Sequence, residues 1–251
     1  HLHSNPVGLD YWSILPGQGR YHDPQFIEMG DQDPSGWVKK SKRTTYEGHS
    51  SDVIADKALD YLRKTRADDK PFMLFCHFKA PHDTWQCAAR YESLFADGEI
   101  LEPPTLFDDY ATRSSALKDT LQFIGSKWGR HTDFVKETDH LTGIARKKAQ
   151  YQLYIKKYLR CVRGVDDNIG RILEYLDESG LTANTLVVYT ADPGFFLGEH
   201  WLYDKPCMYA EALRIPLLVR RPGRVAPETG NQQLVLYLVF PPRLLQPTCR
   251  P

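Results

Sequence analysis

The chain has 251 residues, long enough to bury the core of one α/β domain. Its 32 Lys and Arg balance 32 Asp and Glu. That removes the electrostatic case for a nucleic-acid partner but leaves room for a local basic patch around an anionic substrate. No run approaches the about 18 apolar residues of a membrane span, and no secretory signal is seen at the start, which is His1 rather than Met.

The first forty-odd residues, including HSNPVGLDYWSILPGQGRYHDPQF, alternate turn residues with aromatics. They predict an ordered loop with short strands, the kind of segment that lines a site. A helix follows, with Ser50 or Ser51 as its cap and an amphipathic pattern through Val53, Ile54, Ala58, Leu59 and Leu62. PFMLFCHF is a short apolar run that predicts a buried strand, ending in a loop that carries His82. Residues 84–140 are mixed and polar and give no clear order. Residues 145–179 carry apolar side chains at helical spacing, from Tyr151 through Leu173, and Gly180 is the expected stop. TLVVYTA and IPLLVRR predict two more strands. Strand, helix and strand in this order suggest an α/β fold with a mostly parallel central sheet and helices on both faces.

In such sheets ligands sit beyond the carboxyl ends of the strands, which directs attention to His82 and Asp192. An imidazole at His82 can donate to an anionic oxygen or protonate a leaving group; its plainer role is to satisfy a loop carbonyl. A carboxylate at Asp192, ending a buried strand, suits a hard cation such as calcium (Ca2+) or magnesium (Mg2+), or else caps the loop that follows. Lys205 can hold a sulfate or phosphate oxygen, although a lysine read singly is usually solvated. Glu199 and His200 read as polar loop positions. Asp166 and Asp167 diverge by about 100° on a helix and cannot share one metal, which favours a structural role. The five cysteines, Cys76, Cys87, Cys161, Cys207 and Cys249, form no C-x-x-C pair and read as isolated thiols. No Walker loop, dinucleotide fingerprint, nucleophile elbow or H-E-x-x-H is present.

Several stretches, in order, resemble the type I sulfatases of the alkaline-phosphatase-like superfamily: HLHSNP, LPGQGRYHDPQFIEMG, YEGHSSDVIADKALDYL, PFMLFCHFKAPHDTW, YLRCVRGVDDNIGRILEYLDESGL and NTLVVYTADPGFFLGEHWLYDKPCMYAEALRIPLLVRRPG. The resemblance covers most of residues 1–225. It implies hydrolysis of sulfate esters of sugars or aryl groups, so a sulfated small molecule or glycan is the expected ligand. Relatives that cleave phosphate esters or phosphonates, and a non-catalytic glycan-binding remnant, are the alternatives. His1 matches the histidine of the family's G-K-W-H motif, His82 the histidine that contacts the sulfate and serves the leaving oxygen, Lys205 the lysine on a sulfate oxygen, and Asp192 a ligand of calcium. Many relatives are exported, which would suit a glycan substrate; the sequence itself does not specify a location or an oligomeric state.

The departures are equally specific. The family makes its nucleophile, formylglycine, from Cys or Ser in C/S-x-P-x-R, and no cysteine or serine here has that context. Pro193 stands where the family usually has Gln, Asn or His beside the metal, and its side chain has no donor atom. Residues 1–230 therefore read as a partial catalytic domain lacking the early nucleophile segment and its metal-binding aspartates, and 231–251 as a divergent tail. Marginal stability and exposed apolar edges are expected of such a chain.

Overall fold

The structure, a computed structural model, describes residues 6–230 apart from 32, 34, 36–39, 67–69, 119–121, 127–131 and 206. His1, Cys249 and the tail from 231 lie outside the described residues. The early loop region carries three short strands, β1 (Ser13–Ile14), β2 (Gln25–Glu28) and β3 (Thr44–Thr45), paired antiparallel in that order. Helix α1 (Ser50–Asp60) follows and runs into a single π turn, Tyr61–Thr65.

The cap of α1 is His49, not Ser50 or Ser51. Its Nδ1 accepts from the Ser51 amide at 3.2 Å, and its Nε2 lies 2.9 Å from the Gln86 carbonyl. That pattern requires the neutral tautomer with the proton on Nε2. The ring sits between Tyr21 and His22, with centroids at 5.6 and 5.4 Å. An aromatic ring can therefore cap and pack at once, which a serine hydroxyl cannot.

Short helices α2 (Ser115–Lys118) and α3 (Thr132–Glu137) precede the dominant element, α4 (Gly143–Glu178), one unbroken helix of 36 residues. Its end is a Schellman closure at the expected glycine. Gly180 takes φ +70°, its amide donates to Asp177, and the Leu181 amide donates to Leu176 at 2.9 Å. The inward face of α4 presents Tyr151, Tyr154, Ile155, Cys161 and Val165 to the main core, which includes Tyr21, Trp85, Trp201 and Tyr203. Tyr154 is fully buried, and its hydroxyl donates to the Phe196 carbonyl at 2.6 Å.

Helix α4 also packs on α1 through a polar seam. Asp52 accepts from Arg90 and, at 2.7 Å, from the fully buried Asn168. Burial pushes the Asp52 carboxyl up, but hydrogen bonds from Arg90 and Asn168 and the Arg90 charge outweigh it and leave its pKa below the usual value. Asp167 accepts from Tyr91 at 2.7 Å and pairs with Arg163. The acidic pair thus supplies a structural carboxylate, as its helical spacing suggested.

After α4 come β4 (Val187–Thr190), β5 (Phe196–Leu197), β6 (Tyr203–Asp204), α5 (Ala210–Leu213) and β7 (Leu217–Arg220). β4 pairs antiparallel with β7, and β5 with β6. Both apolar runs read as strands here are strands, but every pairing among the described residues is antiparallel; the parallel pairing expected from the sequence is not among them. The run PFMLFCHF, expected as a buried strand, has no strand pairing among the described residues. Phe78 and Cys76 pack inward, while Met73 and Phe75 stand 63% and 62% exposed. The described cysteines are free thiols, and no helix among the described residues is long and apolar enough to cross a membrane.

Candidate active site

The turn through Pro16–Gly19 starts one wall of a cavity. Gly17 and Gly19 both hold φ near +60°, and a Cβ on Gly19 would meet the Leu15 side chain at 2.4 Å. The chain then runs Arg20, Tyr21, His22 with alternating exposure: Tyr21 is buried while its two neighbours face outward. The opposite wall is the loop after PFMLFCHF. Together residues 18–22 and Lys79, His82, Asp83, Thr84 and Gln86 enclose about 400 Å³, which is enough for a monosaccharide.

Tyr21 joins the two walls. Its hydroxyl donates to the His82 carbonyl. Burial raises its pKa far above the ordinary tyrosine value, so it remains a donor across the working pH range. Its ring face carries the Lys79 ammonium at 4.5 Å from the centroid, a cation–π contact. Lys79 also reaches the Asp83 carbonyl at 3.5 Å. The His82 ring is oriented by Asp83: Nδ1 lies 2.8 Å from the carboxylate and 3.0 Å from the backbone carbonyl of that residue. With Nδ1 so engaged, Nε2 is the ring atom left to meet a ligand. Trp85 closes the loop by donating to the Pro81 carbonyl at 2.9 Å, and its ring packs against Tyr154 and Tyr203.

Lys205 follows β6 directly, so the Trp85–Tyr203 contact ties its strand to the His82 loop. Its ammonium donates to Asp204 at 2.8 Å and lies 5.9 Å from the Phe195 ring centroid. Asp192 lies two residues beyond the end of β4 and is exposed; the strand itself is not the buried one expected, since its residues are half-buried or exposed. Neither Lys205 nor Asp192 lines the cavity that His82 lines. Among the described residues no three His, Cys, Asp or Glu side chains converge to hold a metal. With Pro193 beside it, Asp192 can offer one ligand, so the donor set described does not by itself fit calcium.

The loop holding Lys205 is braced from the other side by His200. Its Nδ1 is 2.7 Å from Asp108, its amide donates to the Thr105 carbonyl at 3.1 Å, and its carbonyl accepts from Tyr110. The Tyr110 amide, and then His200, hold the Asp108 carboxyl below the usual range. His200, read from the sequence as a polar loop position, is a buried bracket for this loop. Lys79 and Arg20 are the cavity cations that reasoning from single residues passed over. Their signal was present: Lys79 stands three positions before His82, and Arg20 follows the glycine turn.

A larger groove of about 720 Å³ lies between α1 and α4. Both of its cations are already engaged, Arg90 by Asp52 and Arg171 by Asp56 and Asn168. Size alone does not make it the site.

Against known proteins, the family model described as Sulfatase matches residues 16–246. An N-acetylglucosamine-6-O-sulfatase of Bacteroides thetaiotaomicron is 35% identical, over 98% of this chain and 50% of its own length. The N-acetylglucosamine-6-sulfatase of Bos taurus is 25% identical over 96% of this chain and 38% of its own length. A solved structure in complex with its substrate D-glucosamine-2-N,6-O-disulfate superposes with TM-score 0.75 at 34% identity, covering 87% of this chain and 51% of that one. The chain thus spans between 38% and 51% of the length of these relatives, and its fold is the alkaline-phosphatase-like fold of that structure. The chain belongs to the sulfatase family.

Proposed function

We propose that this chain forms the sulfate-binding and leaving-group side of a sulfuric ester hydrolase whose substrate is a sulfated amino sugar. The observation that carries the reading is the Tyr21-braced cavity, where Lys79 and His82 stand together on one wall. Two relatives named for N-acetylglucosamine 6-sulfate supply the sugar class. In this reading Lys79 holds a sulfate oxygen, and Nε2 of His82 gives its proton to the sugar oxygen as the S–O bond breaks; Lys205 lies outside this cavity and is not assigned to that sulfate. His1 is assigned a supporting role at the same sulfate. By resemblance Asp192 is one ligand of a divalent cation, calcium or magnesium, whose shell the described residues do not complete. In the family, formylglycine supplies the nucleophile. No residue of this chain stands in its motif, so the chain's own share is binding, orientation and the proton.

The test is calorimetric titration of the 251-residue chain with N-acetylglucosamine 6-sulfate, the unsulfated sugar and the 6-phosphate. Saturable binding of the sulfated sugar, lost in Lys79→Ala and His82→Ala, supports the reading. Preference for the phosphate points to a phosphoester branch instead, and binding unchanged in both variants would overturn the site. No turnover of a chromogenic sulfate ester is expected from the chain alone.

A further inference from the structure

The charges on the cavity wall are unevenly used. Asp83 is the acidic side chain on it and is held against His82. Lys79 is held over Tyr21 beside that same histidine. Arg20 is different. It is exposed, lines the same cavity, and among the described residues makes no ion pair, hydrogen bond or ring contact. Its backbone is nevertheless firmly placed. Two glycines in the left-handed region build the turn before it, and buried Tyr21, joined to the His82 carbonyl, follows it. His22 pairs its backbone with His49. The cavity thus holds a guanidinium beyond the two groups that a single sulfate engages, alongside His22 and the neutral side chains of Gln18, Thr84 and Gln86.

We propose that Arg20 is a specificity residue for a second anionic group, so that the site favours a sugar carrying two anionic substituents over one carrying a single sulfate ester. The planar guanidinium suits a sulfate or carboxylate through paired N–H donors, and its fixed charge makes the neighbouring field positive. The inference rests on the proposed function, because it takes the first anion to sit at Lys79 and His82.

The experiment compares N-acetylglucosamine 6-sulfate, glucosamine 2-N,6-O-disulfate and N-acetylglucosamine 6-sulfate carried on a uronic-acid disaccharide, each titrated into the wild-type chain and into Arg20→Gln, Arg20→Lys and His82→Ala. The expected preference of the wild type for a dianionic ligand is about fivefold, the scale of one partly exposed ion pair. Arg20→Gln should bring that ratio to about one, and Arg20→Lys should restore part of it. Gain with the disulfate alone assigns the second group to sulfate; gain with the uronate alone assigns it to carboxylate. An equal affinity for mono- and dianionic ligands in the wild type, or a ratio unchanged by Arg20→Gln, would overturn the inference. If no sulfated sugar binds any form of the chain, the functional reading itself fails. Coincident thermal melts for wild type and Arg20→Gln exclude unfolding as the cause.

Discussion

His49 links the start of α1 to the cavity loop through two hydrogen bonds that its neutral ring alone can make. Burial holds its pKa below the ordinary histidine value, against the hydrogen bond to Gln86 and the charge of Asp52, which act upward. A base with a lowered folded pKa binds fewer protons when folded. Its contribution is therefore complete above the unfolded value of about 6.5 and is lost as pH falls from there toward the folded value. The melting temperature of the chain should fall between pH 7.5 and 5.5, and His49→Asn, which keeps a capping side chain, should flatten that slope. A wild-type slope identical to the variant's would rule His49 out. Asp52 works lower on the scale: its depressed pKa gives stability that is present above about pH 4 and is lost as pH falls through the folded value. Asp52→Asn should therefore remove part of the acid sensitivity below pH 4.

At the same scale, His82 is legible in the sequence as a candidate, but its partners are not. A histidine after an apolar run is visible in the text. That its carbonyl would be held by Tyr21, 61 positions away, is a tertiary fact with no local trace. A lone lysine is usually solvated, so Lys79 taken alone carries no signal; the Tyr21 ring beneath it makes the difference. Asp192 and Lys205 were found from strand ends and resemblance, and the cavity does not include them.

Among the elements, α4 was the most legible. Its apolar residues recur at helical spacing over ten turns, and its stop needs a left-handed residue that glycine supplies without strain. A Cβ at Gly180 meets no atom within 4 Å, so Gly180→Ala measures backbone strain alone. The cost should be about 1 kcal/mol, read as a drop of about 2–4 °C in the melting midpoint. No measurable drop would mean that the helix end frays and the closure does not matter. β4 and β7 were read as strands, and both are. Their antiparallel pairing was not legible, since an apolar run of four to seven residues gives pairing residues without naming a neighbour. PFMLFCHF shows the same limit from the other side: its composition is that of a strand, but strand assignment depends on a partner. The α1 cap was misplaced by one residue, because serine is the commoner capping type and His49 gains its advantage from Gln86, 37 positions on.

Taken whole, the molecule covers one side of its apolar elements well and leaves the other open. Met73, Phe75 and Leu218 are each more than 60% exposed, on a segment and a strand that could accept further pairing. Edges of this kind template association. The isolated chain should sediment as a mixture that grows heavier with concentration, and Phe75→Lys with Leu218→Lys should shift it toward the monomer without altering far-ultraviolet circular dichroism. A wild-type monomer with a single sharp melt would contradict that expectation.

The proposed function requires a sulfated sugar to bind where Lys79 and His82 meet. A crystal structure of the chain with N-acetylglucosamine 6-sulfate tests it directly. The sulfate should lie within hydrogen-bonding distance of Nε2 of His82 and the Lys79 ammonium, in the cavity braced by Tyr21. A sulfate seated in the groove between α1 and α4, or anywhere that leaves His82 and Lys79 untouched, would contradict it.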